Sequence, residues 1–391
     1  MKKYLGLMIS TGTLLVSISI GEVFLRLFAP IPDPYEAFKT PRHYIPSQFP
    51  KHFRLVIEAE EGLPGVQGKN VFSTNNMGFR GDDLARPKPD QEVRIFLVGG
   101  STTECMNLDD SQALNQVLQD ELTRSIPHGT SVKVYNAGKA GDRSYDHVAM
   151  IVHRIVHLQP DLIVVFAGFN DLNASIKNAD YLHYRANGYE VKLALPMLVK
   201  LLGTEFELGK RLYYLLGSLT GKTDKQIFEE IPVKTNYWEK VKVRMSVPIS
   251  NTIPRTDLVA YRNNLTTIAG VARVHGVRLV FMTQPSSWNS SIDPSIKNWH
   301  WMLHRAGTTY SETAMETALT SFNKVMGEVA AEQGIPLVDL VNSIPKSTEF
   351  FIDDVHFNVK GAHAVGTQVA SFILSKGLIP LDGNRQEAFL R

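Results

Sequence analysis

The chain has 391 residues, room for one large α/β domain with insertions or for two to three domains. Hydrophobic residues make up 43% and charged residues 20%, an ordinary globular balance with enough apolar material for a sizeable core. A formal net charge of +2 gives no argument for a nucleic-acid partner, and the single cysteine, Cys105, excludes an intramolecular disulfide.

In chain order, Lys2 and Lys3 precede an uncharged stretch from Tyr4 to Gly21. That length meets the threshold of about 18 residues for a membrane-spanning helix. Lysines on its N-terminal side predict a cytoplasmic N-terminus with the rest of the chain outside. The expectation is a single-pass anchor over 1–29 and an extracytoplasmic main domain, periplasmic in a bacterium. A cleaved signal peptide is the competing reading. Ser17-Ile18-Ser19 is a weak cleavage site, Pro30 after Ala29 is a poor one, and apolar character resumes at Val23. Residues 30–90 are rich in Pro, Gly and charge, and read as a stalk and N-terminal edge segment.

The main domain is expected over 91–391. Val93–Val98 is a short β-branched run ending in Gly99-Gly100, a buried strand followed by a sharp turn. Ser111–Arg124 has helical spacing, Val132–Tyr135 reads as a strand, and Tyr145–Leu158 is amphipathic and ended by Pro160. Asp161–Phe166 is a third buried strand. Alternation breaks at about 173–254, which reads as an inserted, partly helical, cap-like segment. It resumes with helix Asp257–Val274, strand Val277–Met282, helix Ser311–Gln333, strand Pro336–Leu340 and helix Lys360–Ser375. Such alternation predicts a parallel sheet with helices on both faces.

Four polar clusters fall at the strand ends where ligands bind in open α/β sheets. Ser101 follows the Gly99-Gly100 turn. Asn136-Ala-Gly-Lys-Ala-Gly-Asp142 follows the second strand and can offer a backbone N–H to a bound oxygen. Gly168-Phe-Asn-Asp171 follows the third, with Asn170 either a turn residue or an amide donor. Asp353-Asp-Val-His356 precedes the last helix, and its spacing lets Asp353 accept from the ring N–H of His356. Asp354 is the reserve for that role. Each cluster alone is more often a turn or cap; together, at one edge, they describe a nucleophile with its base and oxyanion donors. Cys105, beside the site, reads as a small buried hydrophobe.

The chain resembles the SGNH hydrolases, a branch of the GDSL esterase/lipase family. Its blocks match Gly99-Gly-Ser-Thr102, the glycine of Ala140-Gly141-Asp142, Gly168-Phe-Asn-Asp171 and Asp353-Asp-Val-His356, over about 93–374 without the insertion. Two positions depart: Gly100 where the family name has Asp, and Phe357 where Pro is usual. The resemblance implies a flavodoxin-like three-layer α/β/α fold with about five parallel strands, in order 2-1-3-4-5. It implies Ser101 as nucleophile, His356 as general base and then acid, Asp353 as its orienting group, and an oxyanion hole of Asn170 Nδ2 with the N–H groups of Ser101 and Gly141. No metal or other cofactor is required. His300 and His304 share a helical spacing, as do His153 and His157, but neither pair has a third ligand nearby.

The expected activity is that of a serine esterase removing acetyl or another small acyl group from a carbohydrate or envelope component. Alternatives are an O-acyltransferase on an envelope polysaccharide using the same triad, and an inactive carbohydrate-binding module, against which the intact set argues. Trp288, Trp299 and Trp301 lie after the fourth strand as a candidate sugar-binding platform or a packed mini-core.

Overall fold

The computed structural model describes residues 2–31, 49–126, 129–177, 205–218, 233–253, 256, 258–289, 292–302 and 308–379. The chain divides into two compact units, 1–41 with 189–231, and 42–188 with 232–391.

In the first unit, Lys2–Phe28 is one helix of 27 residues. Its segment Ser10–Phe28 is long and apolar enough to cross a membrane and has no buried share, a property that a signal sequence near the N-terminus also has. The helix runs on through Glu22 and Arg26, which pair at 2.7 Å one turn apart. Glu22 also accepts from the backbone N–H groups of Glu207 (2.8 Å) and Leu208 (3.0 Å). It thereby satisfies two open donors at the start of helix Glu207–Ser218.

The second unit is built on a five-stranded parallel sheet. Its strands are β1 (Glu92–Gly99), β2 (Ser131–Asn136), β3 (Leu162–Phe166), β4 (Arg278–Met282) and β5 (Leu337–Val338), in the order β2-β1-β3-β4-β5. Helices cover both faces, so β1 is buried along its whole length. The pleat sends alternate residues to opposite layers. Ile95, Leu97 and Val164 join a core with α2 (Leu114–Ser125) and α7 (Val359–Ser375). Phe96, Val98 and Val165 join another with α3 (Ser144–His153), α5 (Val259–Val274) and α6 (Glu312–Gln333). Each such buried side chain contributes about 1.5–3 kcal/mol relative to exposure. The sheet order and the three layers agree with expectation.

Boundaries differ where local chemistry intervenes. The helix expected over Tyr145–Leu158 stops at His153; a 3-10 turn, Ile155–Leu158, follows and ends at Gln159 with φ 55°. The fourth helix, α4 (Phe169–Lys177), carries regular structure past the point where the insertion was expected to begin. Leu193–Leu202, within that insertion, lies outside the described residues.

The segment expected as a stalk and N-terminal edge segment is, over 49–90, an edge part of this unit. Arg54–Glu58 and Lys69–Ser73 form an antiparallel hairpin, extended in parallel by Val233–Lys234 from the end of the insertion. Phe79 and Leu84 enter the same core as β1. Low periodicity hid this, because the segment buries single aromatic residues between turns rather than a helical or alternating face.

Candidate active site

The turn after β1 is shaped by space rather than by unusual dihedrals. Gly100 has φ −90° and ψ −151°, an extended conformation open to any residue. A Cβ there would collide with Asn170 Nδ2, and one at Gly99 with Thr103 Oγ1. Both glycines therefore allow close approach, which corrects the expectation that they serve the turn itself.

Ser101 opens α1 (Ser101–Glu104), a single turn that closes at Cys105 in the left-handed region, φ 52°. Arg80 holds that end. Its buried guanidinium donates to the carbonyls of Glu104 (3.0 Å), Cys105 (2.7 Å) and Leu108 (2.5 Å) and pairs with Asp110 at 2.8 Å. Burial raises the Cys105 thiol pKa, which keeps it protonated and a poor nucleophile.

His356 arrives from the other end of the domain. A bridge between Phe351 and Phe357 ties off its loop, and Asn358 caps α7 by accepting from Gly361 N at 3.0 Å. Phe357 stacks on Phe166 at 6.2 Å and packs on Phe351 at 5.2 Å, so an aromatic ring fills the core where the family usually has Pro. His356 Nε2 lies 2.8 Å from Ser101 Oγ. Its Nδ1 lies 2.8 Å from Asp353 Oδ2 and 3.0 Å from Oδ1. Asp353 Oδ1 also accepts from the backbone N–H groups of Val355 (3.0 Å) and His356 (2.9 Å).

The electrostatics follow from this packing. Burial alone would lower the His356 pKa, but the Asp353 carboxylate, with Asp354 and Glu104 adding to it, raises it above the ordinary value. Burial opposes the Asp353 anion, yet His356 and the two backbone donors outweigh that and hold its pKa below the usual range. Asp354 faces elsewhere, accepting from Trp288 Nε1 at 3.0 Å and Trp301 N at 2.9 Å. It is therefore not the group that orients His356.

Asn170 sits in the first turn of α4 and donates from Nδ2 to Asp142 O at 2.7 Å, leaving its second amide hydrogen available. Behind it, Asp171 accepts from Ser144 Oγ at 2.5 Å, and Asn264 donates to that hydroxyl at 2.9 Å. Burial raises the Asp171 pKa to about 6 against these bonds. Gly141 has φ 82° with open space around its Cα, so backbone conformation favours glycine there. Ser101, Asp142, His147, Phe169, Asn170 and Gln284 line one cavity of about 10 Å³. That is the room of roughly one water. Gly141 is adjacent in chain to this lining and not part of it. Burial lowers the His147 pKa to about 4, so that ring is neutral.

Trp288 and Trp299 pack in the core. Trp288 is 1% exposed and Trp299 8% exposed, so neither has a face to offer a sugar. Trp301 is half-buried, with Lys240 Nζ 4.3 Å from its ring centroid and its Nε1 donating to Asp353 Oδ2 at 2.7 Å. The mini-core reading therefore holds for Trp288 and Trp299. His300 Nε2 lies 2.8 Å from Ser287 Oγ, while His304 is outside the described residues. Arg80, Glu104 and Trp301 as an acid partner were not singled out from sequence. A charged residue three positions after the nucleophile, inside a buried turn, was the one available signal, for Glu104.

The GDSL-like Lipase/Acylhydrolase family model matches residues 97–364. The chain belongs to this family. No curated protein matches the chain. This GDSL-like acylhydrolase is similar to solved structures of a lipase/acylhydrolase from Enterococcus faecalis, at 17% identity over 74% of this chain and 99% of that one, TM-score 0.40. An acetylxylan esterase from Geobacillus stearothermophilus matches at 12% identity over 74% and 96%, TM-score 0.40. A GDSL-like lipase from Bacteroides thetaiotaomicron matches at 12% over 75% and 93%, TM-score 0.39.

Proposed function

We propose that the protein is a serine esterase that removes acetyl or a similarly small acyl group from a carbohydrate or other envelope component. The observation that carries this is His356, placed 2.8 Å from Ser101 Oγ on one ring nitrogen and 2.8 Å from Asp353 on the other. In the proposed reaction, Ser101 Oγ attacks the ester carbonyl while its proton passes to His356 Nε2. Asp353 stabilises the imidazolium and fixes its tautomer. The oxyanion is met by Asn170 Nδ2 and the N–H groups of Ser101 and Gly141, each donor worth about 10²–10³ in rate. His356 returns the proton to the leaving alcohol, and water then hydrolyses the acyl-Ser101 ester by the same steps.

The apolar helix Ser10–Phe28, preceded by Lys2 and Lys3, supports an anchored enzyme facing outward, within reach of envelope substrates. A panel of chromogenic acetyl, butyryl and octanoyl esters tests the reading. Acetyl ester should be cleaved fastest, with Asn170→Ala losing about 10²–10³ in kcat at little change in KM. Preference for octanoyl ester would remove the small-acyl reading; Ser101→Ala with near-normal turnover would remove the enzyme mechanism.

A further inference from the structure

Asp353 has more donors than orienting a histidine requires. Besides His356 and two backbone N–H groups, it receives the Trp301 indole N–H at 2.7 Å on Oδ2, the same oxygen that lies 2.8 Å from His356 Nδ1. The Tyr237 hydroxyl accepts from Asn107 Nδ2 at 2.9 Å, and the Asp353 charge adds to burial in raising its pKa well above the ordinary value. Tyr237 packs edge-on against Trp301, with ring centroids 6.1 Å apart and planes at 86°. Lys240, one turn further along the helix Tyr237–Met245, lies over both rings, 4.3 Å from the Trp301 centroid and 5.3 Å from that of Tyr237. The Trp301 backbone is itself fixed, its N–H donating to Asp354 Oδ2 at 2.9 Å. Trp301, backed by Tyr237 at the start of that helix, thus meets the one carboxylate behind the candidate base.

We propose that Trp301 and Tyr237 are positioning residues of the catalytic acid: they hold Asp353 in register with His356 and share its negative charge, so that the end of the inserted segment completes the triad. This rests on the esterase reading of Ser101, His356 and Asp353. Trp301 was open to a sugar-stacking role from sequence; with its N–H on Asp353 and Lys240 over its ring, its contacts point to the acid instead. A donor to a carboxylate withdraws charge from it. Removing that donor leaves more charge on the oxygen that faces His356, which favours the imidazolium and moves its titration upward. It also frees the carboxylate to turn, which lowers kcat. The charged and titratable groups around this pair are Asp354 in the same loop, Glu104 from α1, and Tyr237 and Lys240 from the inserted segment. All of these remain when Trp301 is changed to Phe.

The test uses the full-length protein carrying Trp301→Phe, which keeps the ring and removes the N–H, and in parallel Tyr237→Phe, which removes only the hydroxyl. The His356 ring is titrated by NMR, and kcat and KM are measured across pH with an acetyl ester. Trp301→Phe should raise the His356 midpoint by about half a pH unit, shift the acid limb of kcat/KM with it, and lower kcat about 10-fold at nearly unchanged KM. Tyr237→Phe should move both readouts in the same direction, and it carries the test alone if Trp301→Phe does not fold. A midpoint and pH profile that coincide with wild type in the folded variants would overturn the proposal, even with Ser101→Ala inactive. Near-normal hydrolysis by Ser101→Ala would instead overturn the esterase reading beneath it.

Discussion

At the scale of residues, the charge around Ser101 sets two pH responses. His356 must be neutral to accept the Ser101 proton, and its pKa is raised because Asp353, Asp354 and Glu104 outweigh its burial. The acid limb of kcat/KM should therefore fall above the ordinary histidine value of about 6.5. A limb below that value would mean that burial dominates instead. Glu104 acts on stability. It is buried, and despite Lys139, the Ala140 N–H and His356 nearby, burial raises its pKa to about 7. The folded state then holds this proton more tightly than the unfolded chain. Stability from this group is fully present below about pH 4.5 and is lost as pH rises through about 7. Thermal unfolding of Glu104→Gln should show a gain over wild type at pH 8 that disappears at pH 4. An equal difference at both pH values would contradict the assignment.

At the scale of elements, legibility in the sequence followed periodicity. The strands are short, mostly apolar runs and the long helices carry 3.6-residue spacing, so the alternation of elements was legible, while the order β2-β1-β3-β4-β5 was anticipated only through the family resemblance. Ser101, Asn170, Asp353 and His356 stood out because each follows a strand or precedes a helix, and the structure brings Ser101, Asp353 and His356 into one hydrogen-bonded chain. What could not be read were contacts between elements far apart in sequence. Gly99 and Gly100 looked like turn residues because the approach of Thr103 and Asn170 leaves no local trace. Trp301 was left open between a packed mini-core and a binding platform because its partner, Asp353, is 52 residues away. Arg80 lay in a segment that read as a stalk, yet it is the group that closes α1. Replacing it by Met would remove the side-chain donor to the carbonyls of Glu104, Cys105, Leu108 and Val71, while Asp110 would keep its bonds from Ser73. Arg80→Met should cost about 1–3 kcal/mol, read as a lower denaturant midpoint. A loss under 1 kcal/mol, with activity intact, would show that the turn holds without it.

At the scale of the whole molecule, an apolar N-terminal helix precedes a GDSL-like acylhydrolase domain. In the proposed topology, protease added to spheroplasts digests the chain beyond about Pro30, and full protection until lysis would contradict it. In the proposed reaction, water would compete with any sugar hydroxyl for the acyl-Ser101 ester, and hydrolysis predicts free acid as the main product at millimolar acceptor sugar. Both outcomes depend on Ser101 being the residue acylated, and that is most directly read by mapping a fluorophosphonate adduct by peptide mass. Wild-type protein should carry the adduct on Ser101, Ser101→Ala none, and His356→Ala should label slower by several orders of magnitude, because triad members act as a unit. An adduct on another residue, or undiminished labelling of Ser101→Ala, would contradict the account.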